Sequence, residues 1–238
     1  GNAAAMHHST TGFIMGVDAP FMDGAWRIGA LLSYGRSMFD INSGRGSSGH
    51  GNNVSIGGYA GTHWGAFNLK LGAAYTWNML SMQRNVAFPG YADRLSSNYL
   101  AGTAQGFGEV GYRLHTRYGL AEPFANVAYV NLHTNGYHEH GGAAALQGRS
   151  MDTGVTFSTF GIKASSTLHA GKMLLIPHAS LAYRHAFGLS TPTAHTLFAA
   201  GGSGSMDIAG VPLSVDSAVI DAGLTARLSE RIKIGLSY

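Results

Sequence analysis

"LKLGAAYTW", residues 69–77, sets Leu69, Leu71, Ala73, Tyr75 and Trp77 on one parity and Lys70, Gly72, Ala74 and Thr76 on the other. A strand sends successive side chains to opposite faces. One face here is greasy and ends in aromatics; the other is small, polar and charged. In a soluble sheet a second layer of protein would cover the greasy face. Whether such a layer exists is a question for the rest of the chain.

The same rhythm recurs. Trp26, Ile28, Leu32 and Tyr34 alternate with Arg27, Gly29, Leu31 and Ser33, and Val110 and Tyr112 oppose Phe107, Glu109, Gly111 and Arg113. Further on, Phe160 and Ile162 flank Gly161 and precede Lys163, while Leu181 and Tyr183 alternate with Ala182 and Arg184. Ile220 and Leu224 oppose Asp221 and Arg227, and Ile234 and Leu236 follow and oppose Lys233. Short connections (20–25, 117–123, 169–172, 228–231) alternate with long polar ones (42–53, 85–98, 133–154 and a stretch within 189–216). That rotation is the mark of an up-and-down antiparallel sheet with one plain end and one elaborate end. About ten strands are expected, beginning near residues 10–18.

Composition narrows the choice. Of 238 residues, 35 are Gly and only 11% are charged, against about 25% in ordinary soluble domains. No stretch reaches the roughly 20 consecutive apolar residues of a membrane-spanning helix, and no helical periodicity long enough to supply a covering layer is present. Charges on the polar face exclude it from the core of a sandwich. Closing the sheet with that face inward and the apolar face in lipid satisfies both, and pairs the backbone. The expected fold class is therefore all-β, an antiparallel up-and-down transmembrane β-barrel, with 1–238 as one domain. A soluble calycin-like barrel, which inverts the parity, is the alternative.

Parity then assigns side chains. Asp18, Arg27, Lys70, Glu109, Arg113, Lys163, Arg184, Asp221, Arg227 and Lys233 are expected to line the lumen. Trp26, Leu69, Leu71, Tyr75, Trp77, Tyr112, Phe160, Ile162, Leu181, Tyr183, Leu224 and Ile234 are expected to face lipid. Other chemistries find little support. The chain has no Cys, so disulfides, thiolate metal sites and a cysteine nucleophile are excluded. A net charge of +3 does not point to nucleic acid. His7–His8 and the His138/His140 pair lack the three or four convergent ligands that zinc requires, so no metal is expected. No G-x-S-x-G elbow occurs, and the Gly-rich 43–51 lacks a Walker lysine and a strand-to-helix context. No cofactor is expected.

The stretches "GGYAGTHWG" (57–65), "LKLGAAYTW", "GFGEVGYR" (106–113), "EPFANVAYV" (122–130), "GGAAALQG" (141–148) and "VTFSTFGIKAS" (155–165), with the strands around them, are similar to one family. In order and content the chain resembles the C-terminal translocator β-barrel domain of autotransporters, the type V secretion proteins of Gram-negative bacteria. The resemblance implies a non-enzymatic outer-membrane translocator that anchors a precursor and lets its N-terminal passenger reach the cell surface. A diffusion porin or another structural outer-membrane barrel is the alternative. Implied partners are the chain's own passenger and linker helix, outer-membrane lipid and the barrel-assembly machinery. Family barrels have twelve strands, so the first and last are expected outside the sequence given, before Gly1 and after Tyr238. Some members cut the passenger inside the barrel at an Asn on the pore helix with help from lumenal acids, for which Glu109 and Asp18 are the candidates here.

Overall fold

The computed structural model describes residues 6–41, 46–170, 173–188, 191–200, 205–210, 212–227 and 233–237. Alternation in sequence becomes long strands: β1 (Met6–Phe21), β2 (Trp26–Ile41), β3 (Ser47–Trp64), β4 (Phe67–Phe88), β5 (Tyr91–Tyr112), β6 (Leu114–Thr116) and β7 (Gly119–Thr134). Then follow β8 (Tyr137–His138), β9 (Leu146–Gly148), β10 (Met151–Ser165), β11 (Leu168–Ala170) and β12 (Met173–Gly188). The chain goes on through β13 (Thr193–Phe198), β14 (Ser205–Ala209), β15 (Asp216–Arg227) and β16 (Lys233–Ser237).

Ten of these run side by side in the order β1-β2-β3-β4-β5-β7-β10-β12-β15-β16, every neighbour antiparallel; β6 and β11 pair with β7 and β12, continuing the lines of β5 and β10. A second, small sheet, β14-β13-β9-β8, is built from the long connections. The turns of the plain end are tight. Met22 (φ 51°), Asp23 (φ 53°) and Gly24 (φ 85°) make the β1–β2 reversal, and the Ala25 N–H donates to the Met22 carbonyl at 3.0 Å.

At the other end, β4 and β5 are 22 residues each and meet at Pro89–Gly90. Proline presets the first corner of such a turn, and Gly90 at φ 85° takes the second, which a side chain would strain. The expected polar loop 85–98 is thus strand almost throughout, and the expected loops 133–154 and 189–216 contain β8, β9, β13 and β14. In these segments one face is open and the other is covered by neighbouring connections, not by a regular second layer, so the two-residue apolar pattern disappears although cross-strand pairing continues.

One face of the sheet is concave. Ile14, Leu31, Tyr59, Ala74, Phe107 and Val130, from six strands, share a cavity of about 420 Å³. Tyr59 lies across Gly29, its register partner, and Phe107 across Gly72, so that a methyl group at either glycine would overlap the ring. The convex face carries Val17, Ile28, Leu71, Val127, Ile162, Leu181 and Ile220, all largely exposed. A contiguous exposed apolar band of this size does not belong in water.

Rings bracket that band. Trp26–Trp64 (6.4 Å, edge-on) and Phe67–Tyr112 (4.7 Å, edge-on) sit at the short-turn end, and Tyr75–Trp77 (4.8 Å) towards the other. Phe67 and Trp77 are ten residues apart on β4, which at about 3.3 Å per residue and a tilt near 40° is roughly 25 Å along the barrel axis.

Buried apolar side chains collect in the outer connections. Leu95, Ala145 and Leu146 are closed off there. The 135–150 segment folds onto the β4–β5 hairpin through a paired Ser96–His140 bridge, with both N–H···O distances 2.9 Å.

Candidate functional site

Charge on the concave face gathers at the short-turn end. Lys70 stands on β4 directly opposite Glu109 on β5, and Lys163 on β10 opposite Glu122 on β7. Lys70 Nζ donates to Glu109 Oε1 at 3.0 Å, and Lys163 Nζ donates to the same oxygen at 2.5 Å, reaching across β7 to do so. Lys70 Nζ also lies 3.9 Å from Glu122 Oε1, and Arg113 Nε 3.6 Å from Glu122 Oε2. Both carboxylates are buried, while the cations remain partly open to the cavity. Lys163 stacks over the Phe124 ring at 4.1 Å.

Three cations share two carboxylates here. Each acid is held by more than one base, as charges in a low-dielectric surrounding must be. Beside them Asn68 is 3% exposed, and neither of its amide atoms has a partner among the described residues. A second group stands one strand further on: Arg27 NH1 donates to Asp18 Oδ1 at 2.8 Å and the Tyr59 hydroxyl to Asp18 Oδ2 at 3.0 Å.

Directly above these charges the concave face carries Tyr59 and Phe107, then Leu31 and Val130, and beyond that apolar belt it turns neutral and polar. Ser55 and Thr76 hydroxyls bond at 2.8 Å, and Asn78 Nδ2 donates to Thr103 Oγ1 at 3.1 Å. Arg184 lies on the same face, with Nε 3.4 Å from Thr159 Oγ1 and its guanidinium 5.8 Å over Phe157. Asp221 is in register with Ser180, and Arg227 ends β15. Lys233 and Ile234 pair in the backbone with Arg227 and Ala226, but their side chains lie outside the described residues.

The other residues named from parity fall on the opposite face. Leu71, Tyr75, Trp77, Tyr112, Phe160, Ile162, Leu181, Tyr183 and Leu224 are exposed there, with Trp26 and Leu69 sharing their parity. One carboxylate of the concave face escaped the sequence reading. The run 117–123 looked like a turn because of its Gly and Pro, whereas only 117–118 is turn and Glu122 is already strand. Pro123 tolerates this because it sits at the end of the β7 ladder that meets β5. The signal that could have found Glu122 was parity counted back from Val127 and Tyr129.

Outside the barrel wall, attention to the histidines of "HEH" missed the residue between them. Glu139 is buried, Arg84 donates to its Oε1 (3.1 Å) and Oε2 (2.5 Å), and the Leu146 N–H donates to Oε2 at 2.9 Å. His138 and His140 are exposed. Among the described residues no three His, Asp or Glu converge as metal ligands.

Comparisons with known proteins agree with this architecture. The chain is 31% identical over 238 residues to an "Extracellular serine protease" of Serratia marcescens, and 30% identical over 237 residues to a second protein of that description. All of this chain is matched but only 22% of either relative, so it spans about a fifth of their length. Among solved structures, the translocator domain of the autotransporter NalP from Neisseria meningitidis superposes with a TM-score of 0.67 at 19% identity, over 98% of this chain and 74% of that one. The beta domain of the Bordetella autotransporter BrkA gives 0.67 at 20% identity, over 98% and 84%. A family model described as Autotransporter beta-domain matches residues 1–238. The chain belongs to the autotransporter β-domain family, the β-barrels of the bacterial outer membrane.

Proposed function

We infer that this domain anchors a longer precursor in the outer membrane and lets its passenger reach the cell surface through a polar lumen formed by the concave face. The observation that supports this best is the division of the sheet: charges bridge across strands on one face, while the other is an apolar band bracketed by aromatic rings. In this reading Asp18, Arg27, Lys70, Glu109, Glu122, Arg113, Lys163, Arg184, Asp221, Arg227 and Lys233 line the conduit. Leu71, Ile162, Leu181 and Leu224 meet hydrocarbon, with Trp26, Tyr75, Trp77, Tyr112 and Tyr183 at its borders.

The cluster at the short-turn mouth holds the wall strands β4, β5, β7 and β10 in register while keeping ammonium groups facing the passage. A linker helix carrying acidic or amide groups would find donors there, including the amide of Asn68. Folding requires the barrel-assembly machinery, and the domain performs no catalysis of its own. Both Serratia relatives are called serine proteases, and a protease passenger is the expectation they supply.

The test uses the full precursor in cells. Glu109→Lys removes the acid that two lysines share, and should delay the appearance of protease-sensitive passenger on intact cells. The barrel should still insert, as seen by its heat-dependent gel mobility. Unchanged export with altered mobility would make the cluster structural only, and would overturn the conduit reading.

A further inference from the structure

Above the aromatic border at the elaborate end, the convex face of β1, β2, β3 and β4 hollows into a groove of about 470 Å³, to which β1 contributes His7 and Ser9. Its height follows from register. Tyr34, Val54 and Trp77 stand in one cross-strand row; the next rows on the same face are Arg36 with Asn52, then Met38 with Ser9, His50 and Ser81, then Asp40 with His7, Ser48 and Gln83. At about 2.6 Å of axial rise per tilted residue, Arg36 lies roughly 5 Å above Tyr34, His50 about 10 Å and Asp40 about 15 Å. The headgroup layer of one leaflet is roughly 5–8 Å deep. Arg36 therefore stands at phosphate depth, and Asp40 and Gln83 stand beyond it.

Arg36 makes no ion pair among the described residues, is exposed on the convex face, and points away from the concave charge cluster. His50 adds a second basic group one row up. The top row is mixed: Asp40, Ser48 and Gln83, with Ser9 and Ser81 below, offer acceptors and hydroxyls, and His7 stands in register with Asp40. A carboxylate would repel a second phosphate at that height but suits sugar hydroxyls. A single phospholipid headgroup would leave much of a groove four strands wide unfilled.

We propose that this groove binds the phosphorylated saccharide headgroup of a glycolipid in the outer leaflet, with Arg36 and His50 on phosphate and Asp40, Ser48, Ser81 and Gln83 on sugar hydroxyls. The inference rests on the membrane placement of the convex face and is independent of passenger export.

The test takes the full-length precursor reconstituted in phosphatidylcholine vesicles doped with a diphosphorylated diglucosamine lipid, and reads the heat-unfolding midpoint against glycolipid content. The expected result is a rise with glycolipid that phosphatidylglycerol at equal charge does not reproduce, and that soluble glucosamine phosphate does not reproduce either. Replacing Arg36→Gln and His50→Gln together should weaken the effect roughly tenfold in glycolipid concentration. Arg117→Gln, on the opposite rim, should leave it intact. Ser48→Ala with Gln83→Ala should erase the preference over phosphatidylglycerol even if the double basic variant folds poorly. Quenching of Trp77 by brominated lipid in the same vesicles reports membrane placement separately. Equal stabilisation by phosphatidylglycerol, or an unchanged response of the basic-to-Gln variant, would overturn the proposal.

Discussion

Ile162 and Lys163 are neighbours in sequence and face opposite worlds, and their substitutions should divide accordingly. Ile162→Arg or Leu71→Arg, within the proposed hydrocarbon band, should cost about 2–4 kcal/mol of barrel stability, measured by urea unfolding in lipid vesicles. Lys163→Gln should leave insertion intact and change conductance or export instead. Equal assembly defects from both would refute the assignment of faces. A second residue titrates outside the membrane. The Tyr91 hydroxyl and the backbone N–H of Ala144 hold the Asp93 carboxyl below the ordinary carboxylate value. A depressed acid contributes its tie fully above the unfolded value near 3.9 and loses it as pH falls through the lower folded value. Hydrogen exchange at residues 143–146, corrected for intrinsic rate, should therefore rise below about pH 4, and Asp93→Asn should flatten that dependence. Single residues were legible where the two faces of a strand differ, as at Leu71 on the convex face against Lys70 on the concave one. They were illegible where the faces do not: Glu139 sits in a stretch whose neighbours Tyr137, His138 and His140 show no period at all.

The β4–β5 hairpin and the 135–150 segment depend on each other. Arg84 joins Glu139 and also donates to the Ala144 carbonyl at 3.0 Å, while Tyr99 and Tyr137 pack at 5.4 Å. Arg84→Leu would leave the Glu139 carboxylate buried without its cation, at about 1–3 kcal/mol. Glu139→Gln would cost less, because the amide can still accept from Leu146. The expected signature is new protease cleavage between 141 and 148 in Arg84→Leu while the barrel itself stays folded. Cleavage in neither variant would mean that Leu95, Ala145 and Leu146 hold the segment without the ion pair. Strands inside the bilayer were readable from their alternation, as in β10 and β15. Their extensions were not, because 80–98 pairs through the backbone while its side chains answer to no common solvent. Length was the surviving clue, since "PG" at 89–90 is a tight-turn signal lying midway between two apolar runs.

Ten strands in unbroken antiparallel order, with aromatic rings about 25 Å apart on the convex face, describe a molecule matched to a membrane. All three tryptophans, Trp26, Trp64 and Trp77, stand in these rings. Their fluorescence in vesicles should be quenched strongly by lipids brominated near the headgroup and weakly by lipids brominated near the chain ends. The reverse order would place the rings at mid-membrane and undo the assignment of borders. The architecture was readable from rhythm alone because every crossing repeats it; the covering of the elaborate end was not, because it depends on contacts between stretches as distant as Arg84 and Glu139. Beyond Trp77 the hairpin of β4 and β5 continues for eleven residues on each strand, stiffened by a full ladder of hydrogen bonds. Such a mast would stand proud of the cell envelope, where antibodies and bacteriophages first touch the bacterium. Sera raised against the folded domain should see its shape, and sera raised against the linear peptide should miss it.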